Sequence, residues 1–242
     1  MQSLLDGIEN IPYNNAGALL GVDENGVTEE LLGALAKMNP VKRAAVVNKL
    51  TTPPAPSKGS RAEMEKHFRE LPKHISEDLV KGNQRLADTL VYSIVPINSK
   101  STRCFEPQHT RQIGLRSLSE GRLPKGSALL VSGIIMLAGV AASETTDDAM
   151  RTNFAKLEAI PAIANGEFSL KANKKIIVPE TSNRVFCTEN FHGTTLGYFK
   201  LANPRLIHDD VPIEFVVELG TTTGIAANTQ LYVALHGTIT TP

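Results

Sequence analysis

Two segments late in the chain alternate apolar and polar residues strictly enough to settle what they form. Ile213, Phe215, Val217 and Leu219 fall on one side with Glu214 and Glu218 opposite, and Leu231, Val233, Leu235 and Ile239 repeat the same period of two. A period of two builds a strand with one face in a core and the other toward water. The same period begins just after residue 87, where Leu90, Tyr92 and Ile94 alternate with Val91, Ser93 and Val95 until Pro96 closes the run. Phe168, Leu170 and Ala172 share a face ahead of a turn at Asn173-Lys174 and an apolar return from Ile176 to Val178, and Gly197 to Ile207 gives a further short strand.

One apolar run needs a decision. From Ala128 to Ala142 the chain carries no charge, but as a helix those residues would span only about 22 Å, short of a hydrocarbon core of about 30 Å. A buried strand followed by a small-residue turn fits better, with the strand over Ala128–Leu137. The count is then about six to eight antiparallel strands, with no helix alternating between them. That pattern predicts a mainly β protein, a single jelly roll or β-sandwich over 88–242.

Residues 1–87 read as a small helical N-terminal region. Val27-Thr28-Glu29-Glu30 supplies a cap and first-turn acids before Leu31, Leu32, Leu35 and Met38, and a second short helix runs from Val41 to Leu50. TTPPAPSKGS at 51–60 is a Pro-rich linker. Ser60-Arg61-Ala62-Glu63 matches a capping box, with Met64, Phe68 and Leu71 on one helical face that stops before Pro72, and another turn or two is predicted from Ser76 to Lys81.

Composition narrows the function classes. The 25 Lys and Arg balance 25 Asp and Glu, and neither the first hundred residues nor the remainder carries net charge. Strong nucleic-acid binding, which draws on clustered cations, is therefore not expected. Neutrality also lowers self-repulsion, which permits self-association. Cys104 and Cys187 stand far apart without metal-ligand spacing and are read as reduced, half-buried thiols. The opening MQSLLDGIENIPYNN has neither a basic n-region nor an apolar h-region, so export by a signal peptide is not expected.

Catalytic constellations are hard to find. Of the six histidines, His67, His74, His109, His192, His208 and His236, the first two are separated by Pro72, and His208-Asp209-Asp210 sits where a polar turn between strands is expected. His236 alternates with core positions and should point away from the interior. Gly121 to Ser127 spaces its glycines as a phosphate-binding loop does, but Lys125 precedes the second glycine and Pro124 removes an amide donor. Glu29/Glu30 at a helix start and Asp147/Asp148 in a loop are explained by dipole complementation and solvation. The seven Thr among residues 221–242 suit a sheet surface. The expectation is a protein that is not an enzyme, with no catalytic, cofactor-binding or metal-binding residue to name.

Three phrases then take on a shape together: NGEFSLKANKKIIVPETSNRVF, GYFKLANPRLIHDDVPIEFVVELG and TQLYVALHGTITTP. With a short Asn-Gly hairpin, an acidic-flanked strand and a final V-x-L-x-G strand, they resemble the C-terminal strands of jelly-roll coat proteins from tailless icosahedral bacterial viruses. The resemblance covers about a third of the chain. It implies a structural virion protein, a capsid subunit made in the host cytoplasm that self-assembles into an icosahedral shell. Partners would be other copies of itself, as a trimer or larger shell, with other capsid proteins or an internal membrane beside them. Members of that group often have two jelly rolls, whereas this chain has room for one, and its first 87 residues have no counterpart there. The alternatives are a β-sandwich binding module for a carbohydrate or cell-surface partner, and a hydrolase. No Trp and only four Tyr leave little for a sugar-stacking platform, and a hydrolase would need a metal or carboxylate pair converging from separate strands.

Overall fold

A computed structural model of the protein describes residues 60–188 and 195–242. The helices expected over 28–38 and 41–50, linker residues 51–59, Glu29/Glu30 and His192 lie outside the described residues. Among the described residues, eight strands form two antiparallel four-stranded sheets. They are β1 (Arg85–Pro96), β2 (Ser101–Arg103), β3 (Leu129–Val140), β4 (Glu167–Ala172), β5 (Lys175–Ser182), β6 (Tyr198–Ile207), β7 (Ile213–Glu218) and β8 (Thr229–Thr241). The first sheet has the order β1-β8-β3-β6 and the second β2-β7-β4-β5. The mainly β expectation holds.

The pairing is nested. β4 pairs with β5, β3 with β6, β2 with β7 and β1 with β8, every pair antiparallel. The innermost hairpin turns at Asn173 and Lys174, both at positive φ, as a tight two-residue connection requires. β2 has three residues, too few to produce a readable period. Short helices also interrupt the β3–β4 connection, at Thr146–Met150 and Pro161–Ala164, where none was expected. The loop from β3 to β4 covers the sandwich, and its apolar side chains, such as Leu157 and Ile163, belong to the core.

The sheets share one core. Val131, Ile134, Leu231, Val233 and Leu235 from the first meet Phe168, Leu170, Phe215 and Val217 from the second. Phe168 is its aromatic centre, with ring centroids 4.8 Å from Phe186, 5.5 Å from Phe215 and 6.3 Å from Phe199. Pro204 lies in β6, an edge strand, where its missing amide costs no central ladder bond.

The charge-free run is a buried strand, and it extends further than its predicted end. β3 continues to Val140 and is buried on nearly every residue, on both faces. The reason lies in what covers the first sheet. Helices α1 (Ser60–Lys66) and α2 (Lys73–Val80), with the segment between them, pack Met64, Phe68, Leu71, Ile75 and Leu79 onto Ala128 and Leu130. Between them the helical face breaks at His67 into a 3-10 turn, Phe68–Glu70, and α2 starts directly after Pro72, earlier than the expected Ser76. Farther along the same sheet Leu115, Ala149 and Phe154 form a second cover over Ile94 of β1 and Tyr232 of β8. A strand buried on both faces has no polar side to show, so its sequence reads as an apolar run that only Ser132 interrupts with a polar side chain.

The helical cover should contribute measurably to stability. Ile75 is fully buried beneath it. Ile75→Ala is expected to lower the unfolding free energy by about 2–4 kcal/mol in urea titration. A change within about 0.5 kcal/mol would mean that α2 is only loosely seated.

Candidate interaction surface

The first sheet is covered, whereas among the described residues no helix or loop cluster packs on the outer side of the second sheet. Strand alternation decides its residues. Phe215 and Val217 turn inward, so Glu214, Val216 and Glu218 turn outward, and in β4 Phe168 and Leu170 turn inward while Glu167, Ser169 and Lys171 turn outward. Ser101 and Arg103 of β2 and Glu180 of β5 complete an open recess of about 220 Å³. Apart from Val216, the side chains presented there are hydroxyl, cationic and carboxylate groups.

Register controls the electrostatics of this wall. Glu167 stands directly opposite Glu218 across β4 and β7, and Lys171 stands opposite Glu214. Like charges directly opposed across a ladder destabilise it. None of Glu167, Glu180, Glu214 and Glu218 takes part in an ion pair among the described residues. Glu214 and Glu218 were legible as outward-facing in the sequence. The Glu167–Glu218 opposition was not, because it depends on which strands pair.

The residues weighed as candidate sites find other partners. The Gly121–Ser127 loop and the His208-Asp209-Asp210 turn hold each other. The Gly126 amide donates to Asp209 at 2.7 Å, Arg122 meets the Asp210 carboxylate at 3.2 Å, and the Gln84 amide donates to the Gly126 carbonyl at 2.7 Å. His74 Nε2 stands 3.5 Å from Asp209. The loop is therefore tied to a turn 83 positions away by protein donors and acceptors. Asp147 and Asp148 open the Thr146–Met150 helix, where the Thr145 hydroxyl accepts from the Asp148 amide. His67 bonds Glu70 at 3.0 Å on the surface. His109 lies 3.4 Å from Glu106, and partial burial and then the nearby Arg116 hold its pKa down, only partly offset by Glu106.

His236 does point away from the sandwich core. It is half-buried, with Nδ1 3.3 Å from the Ser132 hydroxyl and its ring edge-on to Tyr198 at 5.6 Å. Ser132 is the extra residue of a bulge, since Val131 pairs with Gly237 and Gly133 with His236. Burial and then Glu63 raise the Tyr198 hydroxyl, and its hydrogen bond with Ser132 works the other way. Among the described residues no three His, Cys, Asp or Glu side chains gather in a way that could hold a metal ion.

Both thiols are free. Cys104 is fully buried rather than half-buried, and burial with Glu106 beside it pushes its thiol far up. Cys187 is half-buried, and its thiol is raised by burial first and Glu158 second. Ellman's reagent at pH 8 should titrate one thiol of the native protein and both after guanidine. Rapid reaction of both in the native state would contradict the burial of Cys104.

No helix among the described residues is long and apolar enough to cross a membrane. No protein-family model matches the chain, and no curated protein matches it at a significant level.

Proposed function

We propose that this chain is a structural virion protein, a coat subunit built on a single jelly roll that assembles with other copies of itself into an icosahedral shell. The observation that carries the reading is the strand order. β1-β8-β3-β6 against β2-β7-β4-β5, with the four nested pairs all antiparallel, is the order that wrapping a double Greek key would produce, and it supports the jelly roll. That architecture serves viral coats, lectins and cupins alike, so the surfaces must choose among them. A sugar-binding wall calls for aromatic platforms, and the open wall presents Ser, Arg, Lys and Glu side chains. A cupin-like enzyme calls for a gathered ligand set, which the described residues do not supply. A coat subunit calls for a rigid block with walls and edges left for neighbours, and the covered first sheet with an open second sheet suits it. The virion would be its location, with other capsid proteins or an internal membrane as further neighbours.

Negative-stain electron microscopy with light scattering after size exclusion tests this directly. Closed shells, sheets, rings or stable trimers are the expected result. A monomer at every protein concentration and salt condition would overturn it.

A further inference from the structure

The open wall has an unmet electrostatic demand, and the chain itself contains a segment that answers it. The neutrality of the first hundred residues conceals a segregation. Between residues 31 and 59 there are five basic residues, Lys37, Lys42, Arg43, Lys49 and Lys58, and no acidic one. On the other side of the match, four glutamates surround the recess, two of them directly opposed, against only Arg103 and Lys171. A cationic partner laid across that wall would relieve the opposition and supply the missing counter-charges. The described side chains do not gather for a metal ion, which favours a polycationic segment over a bare cation.

We infer that the basic stretch 31–59 of one copy docks on the glutamate-lined outer wall of the second sheet of another copy. The inference rests on the coat-subunit reading and names a contact that would build the shell. The second copy, rather than the same one, follows from direction. α1 starts at Ser60 on the covered face of the first sheet, so the stretch joins the sandwich on the side facing away from the wall. A return to its own wall would take it back past the helical layer and both sheets. Prolines 53, 54 and 56 favour an extended connection over a reversal, and residues 51–59 can span up to about 30 Å. The contact is head-to-tail, a kind that propagates until it closes on itself.

The test uses the full chain with a wall variant, Glu167→Lys with Glu218→Lys, and an arm variant, Lys42→Glu with Arg43→Glu and Lys49→Glu. Circular dichroism and urea titration first establish that each is folded. Each variant alone should need at least tenfold more protein to assemble, and mixing the two should restore assembly toward the wild-type threshold. Carbodiimide cross-links in a mixture of isotopically heavy and light protein should join arm lysines to wall glutamates between chains. Assembly of the wall variant at the wild-type threshold would overturn the docking and leave the coat reading standing, as would cross-links confined within one chain. Loss of assembly in the arm variant alone, accompanied by loss of co-purifying nucleic acid, would overturn it in favour of the genome as the arm's partner. A wild-type protein that is monomeric under all conditions would overturn both readings.

Discussion

Gly237→Ala is expected to abolish soluble folded protein or, where some folds, to cost about 4 kcal/mol or more. A Cβ on Gly237 would collide with the Leu130 carbonyl oxygen on the adjacent strand. No side-chain rotation relieves that contact, because both atoms are fixed to backbone. Nor can β8 move aside, since it is bonded to β1 on one flank and β3 on the other. Gly220 offers the control: nothing lies within 4 Å of its would-be Cβ, and Gly220→Ala should stay within about 0.5 kcal/mol of wild type. Urea denaturation of the pair measures the contrast. Equal stabilities would mean that the β3–β8 ladder is more open than described.

Phe168→Ala should be the most damaging of the core truncations, lowering the unfolding free energy by about 3–5 kcal/mol. Its ring is essentially inaccessible and lies among Phe186, Phe199 and Phe215. Truncation removes its apolar burial, leaves a cavity and ends three aromatic contacts at once. For a domain whose total stability is about 5–15 kcal/mol, that is a large share. Calorimetry or chemical denaturation reads it directly, and a loss under about 1 kcal/mol would show that neighbouring rings collapse into the gap.

Those two sites differ in how far the amino-acid sequence reveals them. Phe168 sits in a clean alternation with Leu170 and Ala172, so its burial follows from the period alone. Gly237 sits in an equally clean strand, but its constraint comes from Leu130, a residue far away along the chain, and no local pattern encodes it. The same division runs through the rest of the fold. The longer strands were legible because half-buried strands advertise a period of two. β3 was legible as buried, but its full length was not, because the helices that cover its outer face come from another part of the chain. β2 is too short to carry a period. At the open wall, Glu214 and Glu218 were readable as outward-facing, whereas Glu167 joins them only through pairing of β4 with β7. The loop from Gly121 and the turn at Asp209 each looked like a weak ligand site in isolation, and each turns out to be the other's partner.

The nested pairing carries a consequence for how the molecule is made. In the first sheet β1 and β3 do not touch along their ladders; β8 lies between them, and β3 has no other partner on that side. Until residues 229–241 have been synthesised, the two longest stretches of the earlier chain wait with unpaired edges, one of them apolar but for Ser132. Closure of such a sheet pays its loop entropy late, and chains of this topology fold slowly for that reason. The first sheet should therefore close only when β8 joins it, with the exposed β3 edge as the place where a chaperone, or a misfolded aggregate, takes hold in the interval.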